Sequence, residues 1–344
     1  DYYASRGLGD VYKRQLQQTI LFVIDDLELK YFEFNDLVTN FWIIKEFLDR
    51  DYEVFIAVKS GLMTEGNVAK TLCWQAYEKD GDIFYKKDEP KKYVIEHFDV
   101  VFFRPDPPVD IDYINACSVF DYVDTERTVV INNPIAVKNF NEKFHLNYFP
   151  EFAPENIVTA SAEEIKAFVR EHKKAIIKPL NQCFGGGVYY LDTEERNINT
   201  IIKNLTNNGK TMVMVQRYLE GAVHGDKRIL IVGEHVFDEC IRKLPGKDDF
   251  KFSEHSDKYF ETTHLTAEEK EMAQKVAKHL NAVELYMVGL DVADGKIMEI
   301  NVTSPCYFIR EINSHNNERF QDVLMEKLIN LIELKQGKIP ATVC

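Results

Sequence analysis

The sequence predicts an α/β protein, with a doubly wound parallel sheet first and α+β segments after it. Three observations carry this. Short apolar runs of strand length alternate with segments of helical spacing. The pattern restarts after about Asn141. The chain has 344 residues, of which 45% are hydrophobic and 28% charged. That is ordinary globular composition, with length for roughly two or three domains.

The elements follow in order. Gln18 to Ile24 is a short apolar strand. Asn35 is placed to cap a helix whose apolar residues Leu37, Phe41, Ile44 and Leu48 recur at helical spacing. Tyr52 to Ala57, Asp99 to Phe103 and Thr128 to Pro134 read as further buried strands, and Asp106-Pro107-Pro108 breaks the third. In the second pattern Ile157 to Thr159 is a strand, and Ser161 with Glu164 forms a capping box that opens a helix. Ala175 to Lys178 and Val188 to Leu191 form a hairpin across Gly185-Gly186-Gly187. Met212 to Gln216 and Arg228 to Val232 are strands, separated by a charged turn. A loop from about Gly246 to Tyr259 precedes a helix that Thr266 and Glu269 cap. The hairpin YMVGLD/KIMEIN and a helix near Arg319 to Leu334 close the chain.

Composition excludes some roles. Lys plus Arg number 42 and Asp plus Glu 56, so the net charge is −14. A general nucleic-acid binder would want a basic face, so no nucleic-acid partner is expected. A few cations in one cleft still suffice for an anionic small substrate. The six cysteines are scattered with no C-x-x-C pair, which argues against zinc and against a disulfide framework. A reducing compartment, the cytoplasm, is the expectation. No run nears the ~18 apolar residues of a spanning helix, so no membrane association is expected. Residues 1–15 lack an initiator Met and an apolar core and fit nothing downstream, so they are read as a non-native leader.

The stretch VGLDVADGKIMEINVTSP, Val288 to Pro305, carries the strongest signal. Glu299 and Asn301 are two apart on one strand and share a face. Asp291 joins them if the hairpin loop is the three residues Ala293 to Gly295, and faces away if the loop is Asp294-Gly295 alone. The three-residue loop is the expectation. Two carboxylates and an amide oxygen are hard ligands suited to Mg²⁺, or Mn²⁺, held with substrate phosphates; a solvated polar edge is the alternative reading. Lys178 and Lys143 are positioned either to meet phosphates as point charges or to snorkel to the surface. The triple glycine suits phosphate-cradling backbone amides as well as a plain flexible turn. The strand ending at Gln216 has the form of a hinge whose main chain reads a flat base, and Asp226, Lys227 and Arg228 open the next strand or form a charged turn. The chain has no Walker A loop, dinucleotide fingerprint, zinc-protease helix or nucleophile elbow.

RPDPP, INNP, NEK, KPL, the Gln216 to Leu219 turn, GDKR, VGLD, EINVTSP and IREI occur in that order. Together they resemble the prokaryotic glutathione synthetases, a family of ATP-grasp carboxylate–amine ligases. The resemblance runs from about Ile20 to Leu334. It implies an ATP-grasp fold: an N-terminal α/β domain at 16–140, a central lobe at 141–217 and a C-terminal lobe at 218–344, the two lobes clasping ATP. It implies ATP contacts at Lys143, Lys178, Gly185, Gly186, Gly187, Gln216, Arg217, Tyr218, Leu219 and Asp226. Asp291, Glu299 and Asn301 would bind Mg²⁺. Arg228 and Arg310 would be catalytic, and Asn301, Thr303, Ser304 and Arg310 would bind the peptide substrate. The implied reaction joins γ-glutamylcysteine to glycine with ATP through an acyl phosphate, in a homo-oligomer.

Two stretches depart from the family pattern. Asn181-Gln182-Cys183-Phe184 stands where the family has an acidic residue and shifted glycines, and the lid region 247–259 lacks the family's Gly- and Arg-rich sequence. A ligase joining another acid and amine, or a non-catalytic nucleotide-binding relative, are therefore the alternatives.

Overall fold

The computed structural model describes residues 18–25, 36–79, 82–85, 90–183, 186–245, 259–316 and 319–338. The expected leader at 1–15, Asn35, Gly185 and nearly all of the expected lid lie outside the described residues. The chain divides into two compact units, one of residues 1–106, 114–135 and 321–344, the other of residues 107–113 and 136–320.

The first unit is built on one mixed sheet. Its parallel part comprises β1 (Thr19–Ile24), β2 (Glu53–Glu65), β6 (Val100–Phe103) and β7 (Val129–Ile131), in the order β2-β1-β6-β7. All five residues from Ile20 to Ile24 are buried, as strands covered on both faces require. The helix α1 (Thr39–Leu48) packs Phe47 against Phe22 and Phe102, and those two rings stack at 4.7 Å. Val38 holds the N-cap position, without a side-chain cap, so the start of α1 lies three residues beyond the expected Asn35.

Sequence reading missed three of this sheet's seven strands. β2 runs on past Ala57 into a long antiparallel hairpin with β3 (Val68–Lys79), and β4 (Asp82–Tyr85) and β5 (Lys91–Val94) both pair with β3. Polar residues alternate with apolar ones along β3 only loosely, so the period-two signal was weak there.

The second unit has two antiparallel sheets. The smaller has the order β10 (Tyr189–Asp192), β9 (Lys174–Pro179), β11 (Val213–Arg217), β8 (Asn156–Thr159). Helices α4 (Ala162–His172) and α5 (Ile198–Leu205) cover one face, where Ile165, Phe168, Ile202, Val213, Val215 and Ile177 form a core. Period two then sends Gln216, Met214 and Lys178 to the other face. The shorter helices α2 (Ile111–Ser118) and α3 (Pro134–Lys138) precede this sheet in the chain.

The larger sheet has the order β15 (Phe260–His264), β14 (Glu239–Lys243), β12 (Asp226–Val232), β16 (Met287–Ala293), β17 (Lys296–Asn301), with β13 (His235–Val236) on β12. Helix α6 (Ala267–Ala282) opens with the expected capping box, Thr266 and Glu269 bonding in both directions. At Ser161 only half of that box forms, the hydroxyl accepting from the Glu164 N–H. Helix α7 (Ile309–Asn316) follows β17. All but the first residue of α8 (Phe320–Lys335) belongs to the first unit, with Leu324, Leu328 and Leu331 buried.

Candidate functional site

The hairpin of β16 and β17 sets the site. Its loop is the two residues Asp294-Gly295, not the expected three, because Ala293 pairs with Lys296. Both loop residues have positive φ, 50° and 68°, the mirror-image turn whose twist matches a hairpin. Such a loop alone would set Asp291 opposite Met298. One extra residue in β17 shifts the ladder: Val292 pairs with Ile297, but Asp291 pairs with Glu299. Met298 is the bulge. The expected loop is wrong, yet Asp291, Glu299 and Asn301 share one face.

Arg228, on β12, lies directly across from Asp291 and grips it with two hydrogen bonds, Nε to Oδ1 at 2.7 Å and Nη2 to Oδ2 at 2.9 Å. Gly289 makes room for this fork, since a Cβ there would stand 2.9 Å from Arg228 Cδ. Lys243, at the end of β14, donates to Asp291 Oδ1 at 3.0 Å and pairs with Asp226 at 2.6 Å. Asn301 donates its amide N–H to Asp291 Oδ2 at 3.1 Å and to the Gly289 carbonyl at 3.2 Å. Burial by itself would raise the Asp291 carboxyl, but Arg228 and Lys243 outweigh it and hold the group well below the usual carboxylate range. Burial raises Asp226 despite Lys243.

A second set of contacts joins the smaller sheet to this hairpin. Lys143 donates to Glu299 Oε1 at 2.6 Å and to the Gln182 carbonyl at 2.8 Å. Lys178, at the end of β9, donates to the Met298 carbonyl at 2.9 Å. Both lysines are about 5–6% exposed, so neither snorkels to the surface. Burial pulls Lys178 down to about 8. Burial pulls on Lys143 as well, but Glu299 outweighs it and the ammonium is raised. Glu142 accepts from the N–H groups of Val302 and Thr303 at 2.7 and 3.0 Å and from the Thr303 hydroxyl at 3.0 Å. It fixes the turn that follows β17; burial, and then Glu299, push its carboxyl up.

The face of β11 that carries Gln216 holds two unsatisfied atoms. Gln216 is 4% exposed and its Nε2 has no partner; Asn156, its cross-strand neighbour on β8, has a buried Oδ1 without one. Buried polar atoms rarely lack partners, and a ligand is one reason for an exception. Along the hinge, the Arg217 and Tyr218 N–H groups already donate to the Glu155 and Lys174 carbonyls at 2.8 and 3.1 Å. The Leu219 N–H has no partner among the described residues. The Arg217 side chain turns to Glu155 at the surface.

Other expected residues fall differently. Gly187 has φ 67°, and a Cβ there would press on Gln182 and Pro179 at 2.6 and 2.8 Å; the Gly186 N–H donates to the Cys183 carbonyl. Thr303 is held by Glu142, and Ser304 follows it on the same turn. Arg310, near the start of α7, pairs with Glu311 at 2.7 Å and is not a partner of Asp291. Sequence reading missed Lys243, Glu142 and Asn156. Lys243 closes the strand ECIRK, whose Glu239 and Arg242 give its charge no contrast; Glu142 stood beside Lys143 in NEK.

The donor set suits a hard divalent cation, with two carboxylates and one amide on one face. Among the described residues no three His, Cys, Asp or Glu side chains cluster to hold a metal, so an ion here depends on Asn301 Oδ1 as well.

Lys178 on one sheet and Lys143 ahead of it both reach a carboxylate hairpin on the next sheet, beside a strand with unsatisfied polar atoms, and the fold that carries them is that of the ATP-grasp ligases. The solved structure of the ATP-grasp ligase PsnB complexed with a minimal precursor is similar in fold, with a TM-score of 0.59 over 92% of this chain and 99% of that one, at 18% identity. Residues 19–138 match the prokaryotic glutathione synthetase N-terminal domain, and residues 142–317 match its ATP-grasp domain. Glutathione synthetase of Vibrio parahaemolyticus is 31% identical over 296 residues, 86% of this chain and 92% of that protein. Glutathione synthetase of Nostoc sp. is 38% identical over 226 residues, 65% of this chain and 69% of that protein. The chain belongs to the prokaryotic glutathione synthetase family and is an ATP-dependent ligase. No helix among the described residues is long and apolar enough to cross a membrane.

Proposed function

We propose that this enzyme joins γ-glutamylcysteine to glycine at the expense of ATP, and that its site is the face shared by Asp291, Glu299 and Asn301. The observation that carries the reading is the convergence of Lys143, Lys178 and Arg228 on that hairpin. A carboxylate is a poor electrophile, and transfer of a phosphoryl group to it creates a good leaving group. Mg²⁺ held by Asp291, Glu299 and Asn301 would supply charge neutralisation on the phosphates. Lys143 and Lys178 bind and orient the triphosphate as point charges. Gln216 Nε2 and the Leu219 N–H supply donors for the adenine ring, and Asn156 Oδ1 an acceptor for its amine. Arg228, fixed by Asp291, stabilises the oxyanion formed when the amine of glycine attacks. Arg310, Thr303 and Ser304 belong to the peptide-substrate side, and Gly185, Gly186 and Gly187 to the phosphate side. Asp226 acts by holding Lys243.

The division into a domain at 16–140 and lobes at 141–217 and 218–344 remains part of this proposal, as do a homo-oligomer and a cytoplasmic location. ATP and a free-thiol dipeptide as substrates place the reaction in a reducing, ATP-containing compartment. ADP release measured with γ-glutamylcysteine and glycine tests the function. Turnover that requires both substrates supports it; turnover only with another acid and amine, or ATP binding without ADP release, overturns it.

A further inference from the structure

Every lone-pair direction of Asp291 is in use. Oδ1 accepts from Arg228 Nε and Lys243 Nζ, and Oδ2 accepts from Arg228 Nη2 and Asn301 Nδ2. A carboxylate oxygen offers two such directions. Glu299 Oε1 in turn takes Lys143. The site's own charges also balance: Asp226, Asp291 and Glu299 stand against Lys143, Arg228 and Lys243. The remaining neighbours, Glu142 and Lys178, add one acid and one base. Glu142, Lys143, Lys178 and Asp291 are buried and the other four partly so, and a net charge in such a place is costly. A divalent ion entering alone would upset the balance and find Asp291 closed to it. A triphosphate entering alone would upset it the other way. Entering together, the ion offsets part of the triphosphate's charge, and the phosphates give the lysines somewhere to go.

We propose that Lys143 and Lys243 are resident counter-cations of the metal carboxylates, so that a divalent ion enters only with the triphosphate that draws them off, and that Lys243 sets this coupling at Asp291. The proposal rests on the metal reading of Asp291, Glu299 and Asn301 and adds the order in which the site fills. It also gives Asp226 a role: it is the second anchor of Lys243, and it keeps the ammonium nearby when Asp291 lets go.

The test is Mn²⁺ binding to the full chain, read by electron paramagnetic resonance, with and without a non-hydrolysable ATP analogue. The expected result is binding about a hundredfold tighter with the analogue present. Lys243→Met removes one donor and one charge from Asp291, and it should tighten nucleotide-free Mn²⁺ binding about tenfold and shrink the coupling by that factor. Lys243→Arg should keep the wild-type ratio. If Lys243→Met does not give the wild-type circular dichroism spectrum, Lys143→Met, which frees Glu299, reads the same coupling. Equal Mn²⁺ affinity with and without analogue overturns the proposal, and so does an unchanged ratio in both variants. Absence of Mn²⁺ binding even with analogue overturns the metal reading beneath it, a distinct result, because the coupling ratio then does not exist.

Discussion

The two sheets of the second unit treat their buried polar groups in opposite ways. On the larger sheet Asp291 has a partner for every lone pair, and Arg228, Lys243 and Asn301 lock one another in place. On the smaller sheet Gln216 Nε2 and Asn156 Oδ1 are buried with nothing to bond, and Lys178 is pulled toward neutrality. A saturated network fixes geometry before the substrate arrives. Unsatisfied atoms carry a desolvation penalty that a bound partner removes. Under the proposed function, placing chemistry falls to the larger sheet and recognition to the smaller.

The sharpest way to break this contrast is Glu299→Gln. Turnover should fall by about 10³-fold, in the range lost with key electrostatic groups, while the circular dichroism spectrum stays that of the wild type. Retained activity would sink the hairpin site. Asp291→Asn strikes the saturated network itself. It leaves Arg228 and Lys243 buried beside a neutral amide, and denaturant unfolding should show a loss of about 3–5 kcal/mol. Gly289→Ala pushes a methyl against Arg228 Cδ at 2.9 Å; about 1–3 kcal/mol should be lost, with kcat falling as the fork is displaced.

The unsatisfied side predicts the reverse pattern. Gln216→Leu deletes a donor that bonds nothing, so the melting temperature should hold or rise, while KM for ATP rises about tenfold. A parallel fall in stability would show that Gln216 is structural. The smallest effect is on pH. Below about 8 the fold buries a charged Lys178; above it the folded lysine is neutral, whereas the unfolded one stays charged up to its ordinary 10.5. Stability contributed by this group therefore rises from about pH 8 toward 10.5. Nucleotide binding goes the other way, because phosphate needs the charged form, and KM for ATP should climb a few-fold between about pH 7 and 9. Lys178→Met should flatten that climb.

Much of this was legible in the sequence, for identifiable reasons. The strands Ile20 to Ile24 and Val100 to Phe103 are continuous apolar runs, which only a doubly covered sheet explains. Glu299 and Asn301 followed from period two alone. The path to Asp291 did not, because a register depends on a turn and a bulge together, and a bulge leaves no residue signature of its own. Lys243 escaped because its partners, Asp226 and Asp291, come from two other strands, and pairing of β14 with β12 is a tertiary fact. The hairpin of β2 and β3 escaped because its solvent-facing residues blur the alternation.

The surplus residue Met298 has one more consequence. The turn alone sets Asp291 opposite the third residue of β17, so a strand without Met298 would still bring Glu299 there. What the extra residue adds is a main-chain carbonyl left outside the ladder, and it accepts from Lys178 Nζ at 2.9 Å. Deleting Met298 would keep the two acids face to face and take away the lysine's anchor, so the surplus position ties the smaller sheet to the hairpin.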